Sequence, residues 1–248
     1  MFDVKIDEGY IVQQSGTSEG TQIKYKKDNY WYKLDNKGSE GLCEYLASKL
    51  LTFTDLKPSE YIIYEQGHIN GRYGCRSLDY LDEKDEFVTI YRLYYNEFGK
   101  NLAKVCSGFD TMEERIRYVV KFVLESTNVD ISDYLRKIIT LDYLILNEDR
   151  HFNNLALICG DNGFKCAPIF DNGMSLLTAN QSVNWNFGIE ENVKRVVARP
   201  FSGSHKKMFE YFGKGFELDS NSALKWLQAE PQSIERDVLI YQLNNCSI

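Results

Sequence analysis

Short apolar and aromatic runs separated by turn residues fill the first part of this chain, and helical periodicity takes over from about Phe87. The early runs, Tyr10-Ile11-Val12, Thr21–Tyr25, Tyr30–Leu34 and Tyr61-Ile62-Ile63-Tyr64, read as strands. A polar, Gly-rich piece, Gln66–Cys75, follows the last of them. One helix interrupts the strands: Leu42, Tyr45, Leu46 and Leu50 share a face over Ser39–Leu51, with Ser39 as its N-cap. Later, Phe87, Tyr91, Tyr94, Phe98 and Leu102 fall on one helical face. Thr111–Thr127 repeats the pattern behind an Asp110/Thr111 cap. Over Ile131–Leu146 the apolar face is so broad that it predicts a helix buried in the centre of its lobe. Ser220–Gln228 and Ser233–Leu243 read as short amphipathic helices parted by Pro231. This order predicts an α+β chain of two lobes, a small β-rich one over residues 1–80 and a larger helical one over 81–248.

Chemistry concentrates in Leu141–Leu176. Asn147, Asp149, His151 and Asn154 form the pattern N-x-D-x-H-x-x-N, and Asp171 follows seventeen residues after Asn154 in Phe170-Asp171-Asn172-Gly173. Between them, Leu155–Cys159 and Phe164–Ile169 flank Gly160-Asp161-Asn162-Gly163, a hairpin signal. Such a hairpin folds Asp171 back beside Asn154 and Asp149. The clustered oxygen donors suit Mg²⁺ rather than zinc. Phosphoryl transfer needs such a set, one Asp for the incoming hydroxyl and an Asn and an Asp for the metal on the phosphates.

Upstream, the loop Ser15–Gly20 has two glycines among small hydroxyl residues, which lets backbone N–H groups approach an anion. A flexible hairpin tip has the same composition. Lys33 lies on the aromatic strand Tyr30–Leu34, just before the Ser39–Leu51 helix with its carboxylates Glu40 and Glu44. A kinase requires this order, because a strand lysine on the phosphates is held by a glutamate of the next helix.

N-x-D-x-H-x-x-N followed by Ala167-Pro168-Ile169-Phe170-Asp171 resembles the HipA-like kinases, a bacterial branch of the kinase fold. More loosely, Asp149-Arg150-His151 with Asn154 resembles the phosphatidylinositol kinases. The HipA-like resemblance runs from about Ser15 to Leu176 and implies a two-lobed, protein-kinase-like fold that uses ATP and Mg²⁺ on Ser or Thr of a protein. It implies Asp149, Lys33 and Glu44 as catalytic residues, with Glu40 as the alternative partner of Lys33, and Asn154 and Asp171 as metal ligands. Gly16, Thr17, Ser18, Gly20 and Lys33 would then bind the nucleotide, with the adenine hinge around Gly74–Tyr80. Thr17-Ser18-Glu19-Gly20-Thr21-Gln22-Ile23-Lys24 is similar to a loop that this family autophosphorylates on serine, which implies modification of Thr17 or Ser18. The family's toxins pair with helix-turn-helix antitoxins, so a partner of that kind is a further expectation. The chain begins almost at the phosphate loop, without the extra N-terminal subdomain expected of longer members. A lipid or small-molecule kinase, or a non-catalytic nucleotide-binding module of the same fold, are the alternatives.

Composition narrows this picture. At 248 residues, with 43% apolar and 26% charged residues, the chain is long enough for a two-lobed globular protein. A net charge of −7 argues against direct nucleic-acid binding. No apolar run approaches a membrane span and the first residues do not form a signal peptide. Six scattered cysteines without a CxxC then point to reduced thiols and a cytoplasmic location, with Cys159 and Cys166 facing each other across the hairpin. His68 and His205 read as surface residues, His151 as a residue that holds its loop by hydrogen bonds, and Lys194, Arg195 and Arg199 as a solvated basic loop.

Overall fold

The computed structural model describes residues 1–12, 22–82, 84–246 and 248. Gly16, Thr17, Ser18 and Gly20, the expected nucleotide loop, lie outside the described residues. Within them the first lobe is built on a sheet of β1 (Phe2–Val4), β2 (Lys24–Lys27), β3 (Tyr30–Leu34), β4 (Glu65–Ile69) and β5 (Arg72–Leu78), in the order β1-β4-β5-β3-β2. Two tight hairpins organise it, and each has two turn residues with positive φ, Asp28 and Asn29 (50° and 63°) and Asn70 and Gly71 (53° and 76°). Asn, Asp and Gly tolerate that conformation, and its twist matches the strands on either side.

The helix α1 (Glu40–Leu51) lies on this sheet. Gly41 and Gly74 permit the contact, since a Cβ on Gly41 would stand 2.6 Å from the backbone carbon of Gly74. That close approach sets the height of Glu44, one turn further along, above the sheet.

The second lobe holds a smaller sheet, β6 (Glu86–Thr89), β7 (Ala156–Gly160) and β8 (Gly163–Cys166), in antiparallel order β6-β7-β8. Its helices are α2 (Ile90–Phe98), α3 (Leu102–Cys106), α4 (Met112–Thr127), α5 (Ser132–Ile145), α6 (Gly188–Val193), α7 (His205–Phe212), α8 (Ser220–Ala229) and α9 (Ile234–Asn245). Helix α5 runs through the core against α7 and α9, as its broad apolar face predicts, with Leu135, Ile138, Leu141, Leu144 and Ile145 fully buried. Thr111 and Glu114 close a capping box at the start of α4.

Several local expectations are corrected. Tyr61–Tyr64 is not a strand; only an isolated bridge joins Tyr61 to Ile169. Ile62 and Tyr64 are apolar because they are buried with Cys75, Ile158 and Phe170. The strands fall instead on the polar Gln66–Cys75 piece, whose Asn70-Gly71 turn is the stronger hairpin signal. Tyr10-Ile11-Val12 contributes a 3₁₀ turn and one bridge, Ile11 to Tyr25. Phe87 belongs to β6, and the helix starts at Ile90 behind a Thr89 cap. Ser39 precedes α1 without a side-chain capping bond. Cys159 stands opposite Phe164 and Cys166 opposite Leu157, so the two thiols are not cross-strand partners, and all six cysteines are free. His205 is buried in the core rather than exposed. Among the described residues no helix is long and apolar enough to cross a membrane.

Candidate active site

Helix α5 ends at Leu146, which adopts φ 56° and ψ 49°. A branched residue in this left-handed region costs about 1–2 kcal/mol. Asp171, Leu176 and Leu177 also have positive φ (58°, 54° and 67°), so strained backbone gathers around one place in the fold. Strain of this kind persists only where the surrounding structure imposes it.

Here hydrogen bonds impose it. Asn147 donates from Nδ2 to Asp142 Oδ1 (3.2 Å) and accepts the Asp149 backbone N–H on Oδ1 (3.0 Å). Asn154 Nδ2 donates to the Asp149 carbonyl at 2.8 Å. Arg150 then joins the pieces, with a side chain 0% exposed. Its Nε and Nη2 donate to both carboxylate oxygens of Asp142 at 2.9 Å, a two-pronged ion pair anchored on α5. The same guanidinium donates to the Phe170 carbonyl (2.8 Å), Asn172 Oδ1 (2.6 Å) and the Asn154 carbonyl (3.3 Å). One buried side chain thus ties the Asn147–Asn154 loop to the Phe170–Gly173 loop. His151 bonds within its loop through its backbone, to the Asp149 carbonyl and from the Asn154 N–H (2.8 Å each), whereas its ring Nδ1 is buried with no hydrogen bond among the described residues and its Nε2 stands 3.7 Å from Asp149 Oδ2.

Lys33, on β3, donates from Nζ to Glu44 Oε1 at 2.6 Å and to Asp171 Oδ1 at 2.8 Å. The other oxygen of Glu44 accepts the Asn172 backbone N–H at 2.8 Å. Glu40, the alternative partner, instead accepts the backbone N–H groups of Asn36, Lys37 and Gly38 and braces the turn before α1. Gly173 lets this loop sit against α1, since a Cβ there would crowd Glu40 Cβ at 3.2 Å and Glu44 Cγ at 3.5 Å.

Two carboxylates sharing one lysine titrate differently. Burial pushes the Glu44 carboxyl up, and Lys33 only partly offsets it. Burial would also raise Asp171, but Lys33 and then Lys24 outweigh it and hold that carboxyl well below the usual carboxylate range. Burial likewise disfavours the Lys33 ammonium, yet Asp171 and Glu44 overcome this and raise its pKa well above the ordinary lysine value. The pair thus favours the charged form of both Asp171 and Lys33.

A polar cleft lies against this cluster, lined among others by Lys24, Glu44, Asp149, Asn154 and Asp171. Asn154 Oδ1 is buried and accepts no hydrogen bond among the described residues. With the Asp171 carboxylate it offers hard oxygen donors to a small divalent cation. No three His, Cys, Asp or Glu residues converge as a metal site among the described residues. A cation here would rest on two protein ligands and complete its shell with water or phosphate, as Mg²⁺ commonly does. Beyond Lys24 and Asp171 opens a second, apolar slot lined by Ile62, Tyr64, Tyr80, Leu81, Phe87 and Phe170. Its residues come from separate segments, so apart from Tyr80 in the expected hinge no sequence signal marked them.

By sequence, no family model and no curated protein matches this chain. By structure, it is similar to the crystal structure of a Helicobacter pylori proinflammatory kinase, CtkA, with a TM-score of 0.66 at 18% identity, over 98% of this chain and 93% of that one. A weaker likeness, TM-score 0.41 at 9% identity over 96% of this chain and 66% of that one, is to HipA of Shewanella oneidensis MR-1, crystallised as a toxin–antitoxin system with HipB and operator DNA. The second likeness is too low to carry an argument. The first shows the fold: the chain is a kinase-like α+β protein with a β-sheet lobe and a helical lobe, the architecture that the motif resemblance implied.

Proposed function

We propose that this protein is an ATP- and Mg²⁺-dependent kinase that transfers phosphate to a Ser or Thr hydroxyl of a protein. The observation that supports it best is the single cluster of Lys33, Glu44 and Asp171 beside a cleft that also holds Asp149 and Asn154. In this reading the apolar slot takes the adenine ring, and Lys33, held by Glu44, steadies the phosphates. Asn154 and Asp171 hold the metal, which would supply charge neutralisation on the phosphates. Asp149 accepts the proton of the acceptor hydroxyl as its oxygen bonds to the γ-phosphorus, and the bond from that phosphorus to the β–γ bridging oxygen breaks with ADP leaving. Catalysis would come from positioning, which is why Arg150 and the strained turns matter.

Incubation with γ-labelled ATP and Mg²⁺ tests this. The expected result is label on Ser or Thr, on the protein itself at Thr17 or Ser18 and on added protein substrates. Absence of transfer to any hydroxyl, with tight nucleotide binding retained, would leave a nucleotide-binding module instead. The resemblance to HipA-like kinases also suggests a helix-turn-helix antitoxin partner, which co-purification from the native host would reveal.

A further inference from the structure

Of the basic residues in the stretch Lys194–Arg199, two are engaged within their own surface. Lys194 pairs with Glu191 (2.6 Å) and Glu190 (3.4 Å), while Arg195 donates to the Ser182 carbonyl (3.1 Å) and lies over the Phe187 ring. Arg199 differs. Its Nη1 stands 3.6 Å from Asp149 Oδ1, its side chain is 58% exposed, and its guanidinium makes no hydrogen bond among the described residues. The backbone around it is held in place: Val197 N–H donates to Glu148 Oε1 (3.4 Å), which also accepts from Asn180 Nδ2 (2.9 Å), and Ala198 N–H donates to the Gly203 carbonyl (3.1 Å). A planar guanidinium, more than half exposed, thus stands in an ion pair beside the carboxylate assigned to the acceptor hydroxyl, with its hydrogen-bond donors open to a substrate. Val197, two residues earlier, is exposed as well.

From this geometry we propose that Arg199 determines specificity, selecting protein substrates with an acidic residue within two positions of the acceptor Ser or Thr. The inference rests on the kinase reading above and names the substrate class for it. An acceptor hydroxyl bonded to Asp149 lies at about 2.7 Å from that carboxylate. Residues two apart on an extended peptide are spaced about 6.5 Å and project to the same side. A carboxylate at such a neighbouring position falls within reach of the Arg199 fork, which matches carboxylate geometry with two parallel bonds. The chain carries a net charge of −7, so its general field repels acidic peptides. An exposed guanidinium at the mouth of the site reverses that preference locally.

The test compares kcat/KM on serine peptides that differ only in the residues flanking the acceptor, with Asp, Ala or Lys at positions −2 to +2. Wild-type protein should favour an Asp peptide over its Lys counterpart by about tenfold or more, in line with a charge-assisted bond. Arg199→Ala should reduce that ratio towards one, and Arg199→Glu should invert it in favour of Lys. Far-ultraviolet circular dichroism and thermal midpoints check that both variants are folded. Equal kcat/KM on all peptides, or an acidic preference kept by Arg199→Glu, overturns the inference while leaving the kinase reading intact. Failure of the wild type to modify any peptide or protein overturns both.

Discussion

Arg150→Met should destabilise this protein more than any substitution on its surface. The side chain is fully buried, and its removal leaves the equally buried Asp142 carboxylate without its cation. Breaking a buried ion pair from one side costs about 3–5 kcal/mol. The Phe170 carbonyl and Asn172 Oδ1 lose their short bonds as well, and a buried acceptor without a donor costs about 1–3 kcal/mol. The sum, about 5 kcal/mol at the least, is a large part of the roughly 5–15 kcal/mol that stabilises a typical domain. Urea unfolding followed by circular dichroism reads it as a fall in the midpoint at unchanged slope. The double variant Arg150→Met/Asp142→Asn removes the stranded charge but keeps an acceptor for Asn147, and should regain about 2 kcal/mol over the single variant. Arg150→Lys keeps the charge without the fork and should fall between wild type and Arg150→Met. A cost below about 1 kcal/mol for Arg150→Met, or a double variant no more stable than the single one, would refute this assignment.

Two further predictions concern groups whose roles diverge. Glu44→Gln should lower kcat/KM for ATP by about 100-fold, because Glu44 holds Lys33 at 2.6 Å, whereas Glu40→Gln should mainly reduce stability through the turn it braces; steady-state kinetics and thermal unfolding on both variants separate the two, and the reverse ranking contradicts the assignment. His205 has its pKa pushed down from 6.5 to about 4, chiefly by burial, with Arg150 adding to and Asp142 opposing the effect. Between those values the unfolded chain takes up a proton that the native one does not, so stability falls as pH drops from 6.5 towards 4. The full loss is about 3 kcal/mol, and His205→Leu should remove that part of the pH dependence in urea midpoints measured across the window; an unchanged slope in the variant counts against it.

The sequence made the site more legible than the sheet that supports it. Asp149, Asn154 and Asp171 lie close along the chain and are joined by a hairpin, so their spacing predicts a meeting that β7 and β8 bring about. Lys33 and Glu44 were legible as strand followed by helix, but the choice between Glu44 and Glu40 was not. Both carboxylates lie on the same helix one turn apart, and only the fold separates them, with Glu44 on Lys33 and Glu40 on the N–H groups of the turn before the helix. Tyr61–Tyr64 misled because burial between the lobes selects the same residues as a strand does. Arg150 lies within the motif Asp149-Arg150-His151, yet its work is to bind three separate segments, and such long-range bonds leave no local trace. His205 and the apolar slot were invisible for the same reason: their neighbours come from distant parts of the chain.

The central claim, that Asn154 and Asp171 hold a metal–nucleotide complex which Asp149 serves, is tested most directly by calorimetric titration of ATP into wild-type, Asp149→Asn and Asp171→Ala protein, with and without Mg²⁺. The account predicts Mg²⁺-dependent binding in the wild type, retained binding but lost phosphoryl transfer in Asp149→Asn, and loss of both in folded Asp171→Ala. Mg²⁺-dependent binding of equal affinity in Asp171→Ala, or full transfer by Asp149→Asn, would contradict it.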